Sequence, residues 1–361
     1  MTTRTPAVLV GLAIGDSLGM PFESLDDAVH PDLATWDGSY RPCARLELPA
    51  GHTTDDSEMA ECLAASLVER GVFDGGDVAR RYLAWSQGSP HGMGGTTRRA
   101  MARLADGASW RDSGILFSSP HEVGSAPAMR AAPIGAFFAD STEWSAKTVV
   151  STFVACDLDA RITHADPEAC ASSLAVAFTV RNMLRRGPAS PVGETFARET
   201  PDVVAGVADA IASEYLPTLV DSALRRIPEY LRKGRMPHAF VASHAGRRGN
   251  AWQITATAIY CALWAQSYRD GIIAAIQIGG DTDTRAAIAG AILGARFGLE
   301  GIPDEYKKGL LDFDRLRAID LALAHASHQC PWAGCSTPLD CDGARHVTHA
   351  NLDERNRERG Q

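Results

Sequence analysis

The chain has 361 residues, of which 45% are hydrophobic and 22% charged, and a formal net charge of −9. Those values describe a globular protein with a sizeable core, and the acidic balance excludes nonspecific nucleic-acid binding, which needs clustered Lys and Arg. With only 7% aromatic residues, small side chains must do much of the packing, and the Ala-rich segments favour helix over sheet.

The apolar run Ala7–Ile14 is too short to span a membrane, and Asp16 follows it with no signal-peptide cleavage pattern. A cytoplasmic protein without a membrane partner is expected. Ala7–Met20 predicts the first helix, with Gly11, Gly15 and Gly19 spaced by four. Such a glycine face lowers helix propensity and serves the close approach of a neighbouring backbone. Asp16 sits on this helix, either as a satisfied buried acid or as a functional one, and Pro21-Phe22-Glu23 ends it. Residues 24–52 read as loop. Thr53-Thr54-Asp55-Asp56-Ser57-Glu58 then leads into a helix at Glu61–Glu69, and Asp55 with Glu58 fits a variant capping box.

Gly76–Gln87 predicts an amphipathic helix, followed by the turn-rich Gly88–Gly95 and a helix from Thr96 to Ala105. A Gly-rich loop opening a helix can offer backbone N–H groups to an anion, or be a plain turn. Gly124–Gly135 is a small-residue loop entering a helix that Pro133 must bend or delay. Ser145–Leu158 is helical, and Pro167 suits the first turn of a helix running to about Arg186. His164 stands at that helix entrance, as a structural hydrogen-bonder or a catalyst.

Further helices are predicted at 201–215, 218–232, 250–266 and 269–278, the last arriving at Gly279-Gly280-Asp281-Thr282-Asp283-Thr284. Asp and Thr just before a helix can cap it and suit its dipole. Gly290, Gly294 and Gly298 then repeat the four-residue glycine spacing. No segment shows sustained apolar–polar alternation. The fold class is all-α, a single compact many-helix domain over 1–325, with a tail over 326–361. The tail carries Cys330, Cys335, Cys341, His346 and His349, at Cys spacings wider than usual zinc fingers, and reads as a loosely ordered appendage. The other five cysteines read as small buried hydrophobes rather than a disulfide framework.

Thr54-Asp55-Asp56-Ser57 and Asp281–Thr284 resemble each other across more than two hundred residues. Four carboxylates in one site repel strongly without a cation. With threonines beside them every candidate ligand is oxygen, which favours hard ions such as Mg²⁺ or Mn²⁺. Four carboxylates exceed the usual need of one Mg²⁺, which makes a two-metal site the natural arrangement if the motifs meet. Spacing alone leaves helix capping open beside this reading.

Six motifs in order make the chain resemble the ADP-ribosylglycohydrolase family over about residues 7–300. They are Gly11–Glu23, Thr54–Met59, Gly94-Gly95-Thr96-Thr97-Arg98, Ala128–Gly135, Thr163–Pro167 and Gly279–Thr284. The resemblance implies an all-α fold with two divalent cations, Mg²⁺ or Mn²⁺, on Thr54, Asp55, Asp56, Asp281, Asp283 and Thr284. It implies hydrolysis of the bond between ADP-ribose C1″ and an acceptor, with an ADP-ribosylated protein or other acceptor as substrate. Glu23 is the implied catalytic base. Gly94, Gly95, Gly124, Ser125, Ala126, Met129, Arg130 and His164 are the implied substrate-binding residues.

Departures qualify the match. Gly124-Ser125-Ala126-Pro127 stands where relatives carry Gly-Asn-Gly-Ser, changing backbone freedom where a phosphate would be cradled. Gly92 stands where nitrogenase-regulating relatives have an aspartate, and Ser57 where the motif usually has threonine. Two readings follow: an ADP-ribosylhydrolase, which either reverses endogenous modification or counters an ADP-ribosyltransferase toxin, or a catalytically weak ADP-ribose-binding or toxin-occluding protein on the same fold.

Overall fold

The computed structural model describes residues 5–23, 30–115, 124–139, 146–186, 219–244 and 250–327. Sixteen α-helices run through those residues, with no β-strand among them and two isolated bridges, Cys43 with Leu48 and Gly124 with Asn250. In chain order the helices are α1 (Val8–Gly19), α2 (Asp55–Arg70), α3 (Gly75–Ser86), α4 (Gly95–Ala105), α5 (Ala126–Met129), α6 (Ala132–Phe137), α7 (Ala146–Thr163) and α8 (Pro167–Arg186). They continue with α9 (Leu219–Leu224), α10 (Ile227–Arg232), α11 (Pro237–His244), α12 (Ala251–Trp264), α13 (Tyr268–Gln277), α14 (Thr282–Phe297), α15 (Asp304–Gly309) and α16 (Phe313–Ser327). The predicted helix at 201–215 and the Cys/His positions from Cys330 onward lie outside the described residues.

The centre of the molecule is the pair α1 and α14. Every residue of α1 is buried, as a helix apolar nearly all round must be. The two helices meet backbone to backbone along their glycines. A methyl added at Gly11 would lie 2.3 Å from the Gly290 carbonyl oxygen, at Gly15 1.9 Å from that of Ala286, and at Gly294 1.9 Å from that of Ala7. The four-residue glycine spacing is therefore used on both helices, as their sequence predicts. Tyr268 Oη donates to the Gly11 carbonyl at 2.7 Å and Thr282 Oγ1 to the Gly19 carbonyl at 2.8 Å, fixing the register.

Around this pair, α12 and α13 pack on α14, α8 packs on α5, α6, α7 and α14, and α2 packs between α3 and α16. The helix α16 holds α1: Asp320 of α16 accepts the backbone N–H groups of Leu9 at 2.8 Å and Val10 at 3.0 Å. Those donors belong to the first turn of α1 and have no intrahelical partner, so the cap comes from a residue 311 positions away.

Several boundaries depart from expectation. The helix expected at Glu61–Glu69 begins at Asp55, so the acidic motif occupies its first turn. The helix expected over 218–232 is two, broken ahead of Ile227-Pro228, where proline fits the first turn of α10. Pro133 delays α6 as predicted, separating it from the short α5.

Candidate active site

The expected capping box at Asp55 and Glu58 does not form. Thr54 is the N-cap residue of α2 and Asp281 that of α14, and neither side chain makes a capping hydrogen bond. The job at α2 is done from α1: Asp16 accepts the Thr54 N–H at 2.9 Å and the Ser57 N–H at 3.2 Å. It also accepts the Thr54 hydroxyl at 2.8 Å and the Ser57 hydroxyl at 2.5 Å. The carboxylates of Asp55 and Asp56 are thus left over for another purpose. Serine at position 57 supplies the hydroxyl that Asp16 takes.

At α14, two consecutive glycines in left-handed conformation, Gly279 (φ 81°) and Gly280 (φ 73°), turn the chain into Asp281. Side chains do not readily adopt that backbone. Arg285 locks the corner: buried in α14, it donates to the Gly279 carbonyl at 2.7 Å and to Thr257 Oγ1 at 2.9 Å. Because α1 carries both Asp16 and the glycine face, it sets α2 and α14 relative to one another. The two acidic helix starts then meet, with Thr284 Oγ1 donating to Asp56 Oδ2 at 3.4 Å across 228 residues.

Burial acts on these acids before anything else does. It raises Asp16 to about 6 and Asp55 to about 8, with neighbouring carboxylates pushing Asp55 the same way. Asp56 and Asp283 are driven well above the usual carboxylate range by burial and by the charges around them. Asp56 Oδ1 and Asp281 Oδ1 are buried with no hydrogen-bond partner, an expensive state for a carboxylate oxygen. Among the described residues no group of three or more His, Cys, Asp or Glu is arranged to hold a metal ion. The donor set here mixes carboxylates with threonine hydroxyls, and its orphaned oxygens fit a hard divalent cation.

A cleft of about 250 Å³ opens over the pair. At its acidic end stand Glu23, Asp55, Asp56, Asp281, Asp283 and Thr284. Its other walls are Gly92, Gly94 and Gly95 with Thr96 and Thr97, and Gly124, Ser125, Ala126 and Met129 with His164. Among the described residues no Lys or Arg lines it. Glu23 pairs with Arg45. His164 is buried and its Nδ1 is 2.9 Å from Thr163 Oγ1. Burial first, then the nearby Arg130 and Arg99 cations, holds its imidazole down at about 3, so it is neutral at ordinary pH. Gly124 leaves room for that ring: a methyl there would lie 2.5 Å from His164 Nε2.

Two residues expected at the site sit behind it. The Thr54 hydroxyl is engaged by Asp16 and does not line the cleft. Arg130, expected to bind substrate, is fully buried beneath the wall. Its Nε donates to Asp159 Oδ2 at 2.9 Å, and a terminal nitrogen donates to the Asp159 carbonyl at 2.8 Å. Its guanidinium lies 4.8 Å from the Tyr82 ring centroid, and Tyr82 Oη donates to Asp159 Oδ1 at 2.9 Å. A paired cation with no exposed surface braces the structure behind the cleft and is not a lining contact. The substitutions at Ala126 and Pro127 are absorbed, because Ala126–Met129 forms a helical turn with Pro127 in its first positions. Thr96, Thr97 and Gly92 were not singled out as site residues by sequence. The first two lie in the Gly-Gly-Thr-Thr motif, so their signal was there.

A sequence model of the ADP-ribosylglycohydrolase family matches residues 2–332. The chain is 29% identical to ADP-ribosylarginine hydrolase Tri1 of Serratia proteamaculans, over 87% of this chain and 76% of that one. It is 28% identical to ADP-ribosylhydrolase ARH3 of Homo sapiens, over 85% and 88% of the two chains. A solved structure titled ADP-ribosylglycohydrolase-related protein complex superposes with a TM-score of 0.63 at 26% identity, covering 89% of this chain and 96% of that one. The chain belongs to the ADP-ribosylglycohydrolase family and is, with that family, a glycosyl-bond hydrolase.

Proposed function

We propose that the protein hydrolyses the bond between C1″ of ADP-ribose and an acceptor group, with an ADP-ribosylated protein or other molecule as substrate. The observation that carries this reading is the meeting of the two acidic helix starts, with two carboxylate oxygens buried and unpartnered. Thr54, Asp55, Asp56, Asp281, Asp283 and Thr284 would hold two divalent cations, Mg²⁺ or Mn²⁺. Thr54 would do so after turning its hydroxyl from Asp16. Bound there, the cations supply positive charge for orienting ribose hydroxyls and stabilising the breaking anomeric bond.

This chain's own groups do the rest. Glu23 on the cleft wall takes the proton from the attacking water, once its carboxylate is free of Arg45. Gly94 and Gly95, at the eleven-residue α4, offer backbone N–H groups and a helix N-terminus to the diphosphate. That matters in a cleft lined, among the described residues, by no Lys or Arg. Ser125, Ala126 and Met129 with neutral His164 form the wall for the adenosine part. The buried Arg130–Asp159–Tyr82 network braces the structure behind that wall.

A panel of substrates carrying ADP-ribose on arginine, serine or nucleobase tests this directly. Metal-dependent release from at least one of them, lost in Asp281→Ala, is expected. The catalytically weak ADP-ribose-binding alternative draws on the Glu23–Arg45 pair, and it predicts binding of ADP-ribose with release from none.

A further inference from the structure

Glu58 lies one turn into α2 and lines neither the cleft nor the core, yet its carboxylate gathers three donors. Trp85 Nε1 donates to Oε2 at 2.7 Å, the His91 backbone N–H to Oε2 at 3.4 Å, and His91 Nδ1 stands 2.9 Å from Oε1. Facing a carboxylate, that ring nitrogen is the one that carries the proton. The loop returns the contact: the His91 carbonyl accepts the Asp55 N–H at 2.7 Å, a first-turn donor with no intrahelical partner. His52 packs edge-on against the His91 ring, with centroids 4.8 Å apart.

These contacts close a ring, from Asp55 to the His91 carbonyl, through His91 to Glu58, and back along one turn of α2. The residue after His91 is Gly92, held at φ 87° and lining the cleft beside Asp55. A methyl there would lie 2.8 Å from Asp55 Oδ1. The loop's placement therefore fixes both how Asp55 is presented and how close the glycine wall comes to it.

We propose that Glu58 and His91 are positioning residues for the site, a clamp that fastens the Gly88–Gly95 loop to the start of α2 and holds Asp55 in its ligating position. The proposal rests on the metal-site reading above, in which Asp55 is a ligand. Partners that orient a ligand typically change metal affinity ten- to a hundredfold when removed. Glu58 acts through Asp55 and Gly92 and touches no reacting atom.

The test uses the full chain in two arms. In metal-free protein, hydrogen exchange compares the backbone of 53–60 and 88–95 in wild type, Glu58→Ala and Glu58→Gln. Calorimetric titration with Mn²⁺ then compares the same proteins, with Glu61→Ala as a control. Glu61 is on the same helix but pairs outward with Arg315. Glu58→Ala is expected to speed exchange in both segments and weaken Mn²⁺ binding by about tenfold or more. Glu58→Gln, which keeps an acceptor for Trp85 and the loop, recovers most of both, and Glu61→Ala leaves both unchanged. Should Glu58→Ala fail to fold, His91→Ala, which breaks the ring from the loop side, is read in the same way. Unaltered exchange, or faster exchange with unaltered Mn²⁺ affinity, overturns the proposal. Wild-type protein that takes up no Mn²⁺ overturns the metal reading instead, and the exchange arm still decides the clamp.

Discussion

Gly15→Ala tests whether the central helix pair sets the site. A methyl at Gly15 would lie 1.9 Å from the Ala286 carbonyl oxygen and 2.4 Å from its carbon. A carbon–oxygen contact needs about 3.3 Å, so α1 and α14 must part by roughly 1.4 Å. Both atoms struck are backbone in a buried stretch of α14, so no side chain can swing away. Overpacking at this severity costs about 3 kcal/mol, against about 1 kcal/mol gained by replacing a helical glycine with alanine. The net is roughly 2 kcal/mol of destabilisation, a fall of several degrees in Tm. Opening the pair also shifts Thr282 Oγ1 from the Gly19 carbonyl, so Asp281 and Asp283 move relative to Asp55 and Asp56. Thermal unfolding with and without Mn²⁺ reads both effects: a lower Tm, and a smaller rise on adding metal. A variant as stable as wild type or more so, as helix propensity alone predicts, with the same metal-induced rise, would refute the reasoning.

Two further outcomes follow from the buried groups His164 and Asp320. His164 is held near 3, below the usual 6.5 of imidazole. Its contribution to stability is therefore complete above pH 6.5 and lost as pH falls toward 3. By pH 4.5 the loss is roughly 3 kcal/mol. The buried carboxylates with raised values act in the opposite sense, so the readout is the difference between wild type and His164→Gln in urea unfolding. That difference should shift by about this amount, against the wild type, between pH 7 and 4.5, and parallel curves would contradict it. Asp320→Ala strands the buried N–H groups of Leu9 and Val10 and should cost about 2–4 kcal/mol in the same assay. Asp320→Asn, which keeps an acceptor, should recover part of that; an alanine variant with wild-type stability would show that the cap from α16 contributes nothing.

The fold class, the helix order and the glycine-spaced pair were legible in the sequence because they rest on local composition and on periodicities of four. Gly11, Gly15 and Gly19 announce close approach, and the structure supplies the partner they approach. What sequence left open was which element caps which. Asp55 with Glu58 has the spacing of a capping box, but Asp16 takes the α2 donors from another helix, and a contact across 38 residues leaves no local trace. The family resemblance implies a substrate-binding Arg130 in the Gly124–Arg130 loop. Its actual partner, Asp159, lies in α7, beyond α6, and only packing can tell a supporting residue from a lining one. The short α5 turn likewise accommodates Ala126 and Pro127 through a backbone that residue identity alone did not specify.

Binding of cations by the two acidic helix starts together is the property on which the proposed chemistry depends. Metal-free protein titrated with Mn²⁺ and followed by electron paramagnetic resonance should take up two ions per chain. A spin-coupled pair should be seen in wild type, with Asp281→Ala folded but unable to form it. Wild-type protein that takes up no Mn²⁺, or an Asp281→Ala variant that binds the pair unchanged, would contradict it.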